Sequence, residues 1–264
     1  MAVAGERPDK VALIGPEYDR LSPPAKRTLI ICSAPRTGSY DLCRYLLAAG
    51  IGVPHEYFHS DYSQQLGNRW GLGKSPLDPS VLGRYIQTLR QRRAQGDVFA
   101  TKLQFPQFER NLSNEHGRQL FEGAIIVHLF RPDAAAQYAS YRSAGESGVW
   151  DFSSRQTTMP VIRDTSNFDE FFNQALKELD SLMGQDAAFR CMFTLLGIRP
   201  IFVTTDELLR NPRHVVQMIA AAIKVEINEH QLDRAIELGA SYRPVTEKST
   251  GLEEHFKRIV FRGA

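Results

Sequence analysis

Cysteine is scarce in this sequence, with only Cys32, Cys43 and Cys191 among 264 residues. An odd, sparse set does not make a disulfide framework, and without a CxxC pair nothing reads as a zinc site. Cys32 lies in an apolar strand pattern and Cys43 on an apolar helix face, so both are expected as buried thiols. Long apolar runs are missing too. No stretch approaches the roughly 18 residues of a membrane helix, and the opening MAVAGERPDK has no apolar core of a signal peptide. The expectation is a chain that is not transmembrane, in a reducing cytoplasm. Excess charge is also lacking. Lys and Arg number 32 against 30 Asp and Glu, a net charge of +2, so nucleic acid is not an expected partner and any anion site must come from local clustering. Neither a Walker A GxxxxGK[ST] nor an HExxH motif occurs, and no acidic residue is evidently placed to hold magnesium. No metal is expected.

What is present is ordinary globular material, 42% hydrophobic and 23% charged, enough to bury a sizeable core. Residues 1–26 hold four prolines and no clear periodicity. They read as an extended arm suited to packing or to oligomer contacts, a homodimer among them, ahead of a single domain over 27–264. From there strands and helices alternate. Apolar runs at 28–32, 97–103, 124–130 and 201–204 read as buried strands. Helical stripes cover 39–49, 79–94, 134–143, 212–223 and 228–238, with Asp133 as an N-cap. A longer helical pattern over 169–197 is expected to break near Gly184. The stretch 144–168, rich in Ser, Thr and Gly, reads as a loop or lid. Such alternation predicts an α/β fold, a mostly parallel sheet covered by helices on both faces.

The first strand runs through Ser33-Ala34-Pro35-Arg36-Thr37-Gly38-Ser39 into a helix. A helix N-terminus presents unpaired N–H groups and the positive end of a dipole, and so suits a phosphate-like anion. Gly38 permits close backbone approach, Thr37 and Ser39 add hydroxyls, and Arg36 adds a permanent charge with a bidentate fork. A sulfonate carries less charge than a phosphoryl group, which would fit a loop lacking both the Walker lysine and magnesium ligands. An ordinary strand-to-helix turn would look the same in sequence.

The ordered set of motifs goes further. After Pro35-Arg36-Thr37-Gly38-Ser39 come Gly52-Val53-Pro54-His55-Glu56-Tyr57-Phe58, Thr101-Lys102-Leu103, and His128-Leu129-Phe130-Arg131-Pro132-Asp133 with Gln137 and Ser140. A basic C-terminal tail follows. Together these resemble the bacterial carbohydrate sulfotransferases of the trehalose 2-sulfotransferase type, over roughly residues 28–262. The resemblance implies a P-loop-like three-layer fold with a central sheet flanked by helices. It also implies sulfuryl transfer from 3′-phosphoadenosine-5′-phosphosulfate (PAPS), without a metal, to a hydroxyl of a small carbohydrate or glycolipid.

By that resemblance Pro35 to Ser39 bind the 5′-phosphosulfate, Arg131 and Ser140 hold the 3′-phosphate, and Glu56 is the general base. Arg36 and Lys102 are the candidate catalytic cations; Lys102, at the end of an apolar run, reads either as a charge for the donor's sulfonate or the acceptor site or as a salt-bridge residue. Lys248 and Ser249 are the candidates in a tail that closes over the nucleotide, although the local spelling departs from the family's. His55 is a rival base, being neutral near pH 7. Trp70, Trp150, Tyr62 and Phe152 are open to two readings, sugar-stacking platforms or core aromatics. A nucleotide-dependent P-loop kinase and an inactive nucleotide- or glycan-binding module are the competing functions.

Overall fold

A computed structural model describes residues 12–148, 150 and 168–240 of the chain. Its frame is a five-stranded sheet of β1 (Arg27–Cys32), β2 (Ala94–Gln95), β3 (Val98–Leu103), β4 (Ile125–Phe130) and β5 (Ile201–Thr204). The spatial order is β2-β3-β1-β4-β5. All pairings are parallel except the short antiparallel β2 against the start of β3. The expected mostly parallel α/β fold is therefore found, with β1 paired directly to both β3 and β4.

Alternation along β1 explains the layers. Ile30 and Cys32 point to one face and join a cluster with Phe58, Tyr85, Phe99 and Phe189. Leu29 and Ile31 point to the other and join Leu42, Leu46, Val216 and Ile219. The first face carries α3 (Pro79–Arg92), α5 (Glu115–Phe121) and α7 (Phe168–Leu195), which supply Tyr85, Leu120 and Phe189. The second carries α1 (Ser39–Ala48), α9 (Pro212–Ala222) and α10 (Glu229–Ala240). Four short helices complete the set: α2 (Ser60–Arg69), α4 (Phe105–Asn111), α6 (Ala134–Ser147) and α8 (Thr205–Arg210). Cys32 and Cys43 are buried, and Cys191 is exposed.

Two expectations need correction. α7 does not break at Gly184 but runs through it for 28 residues. One interior glycine costs about 1 kcal/mol, and the surrounding helix outweighs it. α6 is capped as expected by Asp133, whose carboxylate accepts from the Ala136 N–H at 2.9 Å. It then extends four residues beyond 143, into the start of the stretch read as a loop.

The described residues before β1 are anchored in the fold. Short 3-10 turns at Ala12–Ile14 and Pro16–Tyr18 put Leu13 and Ile14 in the interior. The fully buried Arg93 guanidinium donates to the carbonyls of Leu13 at 3.0 Å and Ile14 at 2.7 Å. It also pairs with Asp19 at 2.9 Å. Trp70 donates its indole N–H to the same carboxylate at 2.9 Å.

Beyond α1 the chain must turn sharply beneath β3. Gly52 does this at φ +69°, where an added Cβ would lie 2.7 Å from the Ala100 Cβ and 3.1 Å from its backbone N. Gly50 has a similar φ of +81° but open space around it. Gly50→Ala is therefore expected to cost about 1–2 kcal/mol, the price of the left-handed conformation. Gly52→Ala should cost a further ~1–3 kcal/mol from overpacking against β3. Urea unfolding of the two variants side by side checks the difference.

Candidate active site

The carboxyl ends of β1, β3 and β4 lie together, the place where open α/β sheets gather ligands. The loop after β1 is tied down at both sides. Ser33 donates its N–H to the Leu103 carbonyl at 3.0 Å. Gln137 of α6 donates to the Pro35 carbonyl at 2.7 Å. Thr205, at the start of α8, donates to the Thr37 carbonyl at 2.9 Å. Arg36 and Gly38 both adopt positive φ, 66° and 80°. Gly38 is the N-cap of α1 and offers no side chain to cap the first N–H groups. A rigid turn thus delivers an uncapped helix N-terminus, the arrangement that favours an anion.

Arg36 and Ser140 are 104 residues apart in sequence, yet the Arg36 Nε donates to the Ser140 Oγ at 2.9 Å. Its Nη1 donates to the Trp150 carbonyl at 2.6 Å. The half-buried Arg131 directly follows β4, on the same sheet edge. The two cations expected to share one ligand therefore lie at the ends of adjacent parallel strands.

The second half of the site grows from β3. His55 runs alongside its end, forming a parallel bridge to Thr101. The Lys102 N–H and the Thr101 hydroxyl both donate to the His55 carbonyl, at 2.9 and 3.1 Å. This register puts the next residue, Glu56, beside Lys102. Lys102 follows Val98 and Ala100 in the alternation and so points to the α1 face of the sheet. There its ammonium forms an ion pair with Glu56 Oε1 and stands 4.8 Å from the Tyr40 ring centroid.

Both partners are buried, Lys102 at 2% and Glu56 at 5% exposure. Glu56 Oε2 accepts from Gln107 Nε2 at 2.7 Å and Gln104 Nε2 at 3.2 Å. Burial pushes the Glu56 carboxyl up, but the Lys102 charge and the hydrogen bonds from Lys102 and Gln107 outweigh it, lowering it to about 2. The carboxylate is ionised at any working pH. His55 is itself fully buried, among the rings of Tyr40, Tyr57 and Tyr62.

Other candidates fall elsewhere. Trp70 is committed to Asp19 and packs on the core cluster. Tyr62 meets His55 edge to face at 4.6 Å. Trp150 is exposed and packs edge-on against Tyr141. Lys248, Ser249 and Phe152 lie outside the described residues. Gln104, Gln107 and Tyr40 were not anticipated. Gln104-Phe105-Pro106-Gln107 did carry a signal, since proline near a helix start, flanked by side chains able to cap, marks an N-terminus. Among the described residues no group of three or more His, Cys, Asp or Glu could hold a metal ion, and no helix is long and apolar enough to cross a membrane.

The sheet edge thus places an uncapped helix N-terminus beside a buried carboxylate–ammonium pair. The sequence profile of the Stf0 sulphotransferase family matches residues 28–243, and the chain belongs to that family. It is 26% identical over 231 residues to trehalose 2-sulfotransferase of Mycolicibacterium smegmatis, covering 74% of this chain and 83% of that protein. Two solved structures are similar. One is a sulfotransferase from Alicyclobacillus acidocaldarius, with TM-score 0.45, 14% identity, and coverage of 88% of this chain and 96% of that one. The other is the sulfotransferase domain of the Synechococcus PCC 7002 olefin synthase, with TM-score 0.41, 17% identity, and coverage of 90% and 98%.

The buried pair sets an energetic expectation. Lys102→Met leaves the Glu56 carboxylate without its counter-charge and should cost about 3–5 kcal/mol. Lys102→Met combined with Glu56→Gln should recover most of that loss in urea unfolding. The sign with pH follows from the lowered carboxyl. Its stabilising contribution is complete above the ordinary value of 4.5 and fades as pH falls toward about 2. The stability gap between parent and Glu56→Gln should therefore be flat above that value and shrink below it.

Proposed function

We propose that this chain transfers a sulfuryl group from PAPS to a hydroxyl of a carbohydrate or glycolipid, with Glu56 as the general base. The observation that carries the reading is the buried Glu56–Lys102 pair on the same sheet edge as the Arg36 turn. Family membership supports the reaction class, and the trehalose 2-sulfotransferase relative supports a sugar acceptor. The donor set fits a phosphosulfate. It combines an uncapped helix N-terminus with Arg36 and, one strand away, Arg131, and needs no divalent ion to balance the charge.

The donor supplies a sulfonate already joined to a good phosphate leaving group. What the chain adds is position and electrostatics. Arg36 and the N–H groups of the α1 N-terminus face the phosphosulfate. Arg131 and Ser140 serve the 3′-phosphate, and Pro35, Thr37, Gly38 and Ser39 shape the turn. Lys248 and Ser249 are assigned to the same nucleotide from the tail. Attack by the acceptor oxygen forms one S–O bond while the S–O bond to phosphate breaks, its electron pair leaving on the phosphate oxygen. The acceptor proton goes to Glu56. A carboxyl held near 2 is a weak base at rest, so it takes the proton late, as bonding to sulfur makes the hydroxyl acidic.

Glu56→Gln keeps the shape and loses the basic atom. It should bind adenosine 3′,5′-bisphosphate normally in a thermal-shift assay while turnover on a disaccharide panel falls about 10²- to 10⁴-fold. Arg36→Ala should instead weaken nucleotide binding, losing charge-assisted bonds worth roughly 1.5–3 kcal/mol each. Full turnover by Glu56→Gln would defeat the base assignment. Stabilisation by ATP with magnesium but not by the bisphosphate would defeat the donor.

A further inference from the structure

Glu56 is held by more than its ion pair. An ionised carboxylate has two lone pairs on each oxygen, about four acceptor positions in all. Oε2 accepts both Gln107 Nε2 at 2.7 Å and Gln104 Nε2 at 3.2 Å, which fills it. Oε1 accepts Lys102 Nζ. Among the described residues Oε1 forms no second hydrogen bond, and the buried Tyr40 hydroxyl lies close enough to interact with the carboxyl.

The glutamines are themselves fixed. The Gln104 backbone N–H donates to Gln107 Oε1 at 3.2 Å. That bond decides which end of the Gln107 amide faces Glu56, and it is the donating end. Both residues sit at the start of α4, where Pro106 sets the first turn. Gln107 is buried, at 8% exposure.

We propose that Gln104 and Gln107 are positioning residues that saturate Glu56 Oε2 and so make Oε1, the atom beside Lys102, the oxygen that receives the acceptor's proton. This rests on the reading of Glu56 as the base. The acceptor O–H bond breaks, its proton joins Oε1, and the oxygen's electron pair forms the new bond to sulfur. As Oε1 is protonated the carboxyl becomes neutral. The Lys102 ammonium then loses its anionic partner at the moment when negative charge grows on the departing phosphate oxygen. One lysine thus holds the base ionised before transfer and has a free charge after it. The charged and titratable groups around Glu56 among the described residues are Lys102 from β3, His55 beside it in sequence, and Tyr40 and Cys43 from α1. Gln104 and Gln107 are the neutral donors.

The test reads the carboxyl directly and then the rate. Gln104→Met, Gln107→Met and the double variant keep the volume and remove the donors. Glu56 is followed by ¹³C NMR with carboxyl-labelled glutamate, and Glu56→Gln assigns the resonance. The Glu56 titration is expected to move upward in each variant, most in the double. The acid limb of the kcat profile should move with it, and kcat should fall about 10- to 100-fold at an unchanged donor KM. Gln107→Asn, which keeps an amide, should recover part of the shift.

A folded Gln104→Met variant with an unmoved Glu56 titration and unchanged kcat would overturn the role of Gln104, and the same result in Gln107→Met would overturn the clamp as a whole. A titration that moves while the kcat profile stays fixed would overturn Oε1 as the proton acceptor. Glu56→Gln then separates the causes. Full turnover there means that the base reading has failed, whereas lost turnover means that the base stands and the choice of oxygen is wrong.

Discussion

A carboxylate and an ammonium both taken out of water are tolerable only together and with further hydrogen bonds in support. Glu56 and Lys102 are paired through the backbone register, and two amides donate to the carboxylate. Lys102 belongs to a buried strand in which it is the one charged residue, and Glu56 arrives because the His55 carbonyl takes two bonds from the same strand. Shifting that loop by one residue would turn Glu56 away and leave the Lys102 charge stranded in the interior. The pair thus constrains the Gly52 turn before it and the α4 start after it, where the two glutamines complete the shell.

The two halves of the site are built on different principles. The Arg36 turn is assembled from backbone: positive φ values, an uncapped helix start, and carbonyls pinned by Gln137 and Thr205. It is a surface of fixed shape, suited to the anion proposed for it. The Glu56 half is assembled from side chains buried against α1 and β3, and what it fixes is a protonation state. Tyr40 joins them. It is the second residue of α1, directly after the Arg36 turn, and its ring stands over Lys102. A donor seated at the turn and an acceptor seated at the carboxylate would meet there.

The sheet was largely readable from the chain. Runs such as Ala124 to Phe130 and Thr28 to Cys32 are too apolar for anything but buried parallel strands, and they are β4 and β1. Helices of six to ten residues were harder. α2, α4, α5 and α8 hold too few turns for a stripe to stand out, and their ends are set by capping and tertiary contacts. Gly184 misled because local propensity is a weak guide inside a helix of 28 residues packed on the core. In the site, Arg36 with Ser140 and Glu56 with Lys102 were named separately, and each pair proved to be in contact. Sequence could not show those contacts, because strand order brings together segments 104 and 46 residues apart. Gln104 and Gln107 escaped notice because neutral amides carry no distinctive pattern. Their role appears only once a buried charge needs donors.

The anchoring of the first residues bears on how the chain comes together in time. Arg93 gathers the carbonyls of Leu13 and Ile14 and the carboxylate of Asp19 across some 80 residues of chain. Closing so long a loop costs entropy before any contact rewards it. A local opening that frees Arg93 would therefore release both turns before β1 together. Arg93 also stands 5.9 Å from the Tyr57 ring, one residue past Glu56. The same opening would take packing from Tyr57, and so from the loop that carries the carboxylate.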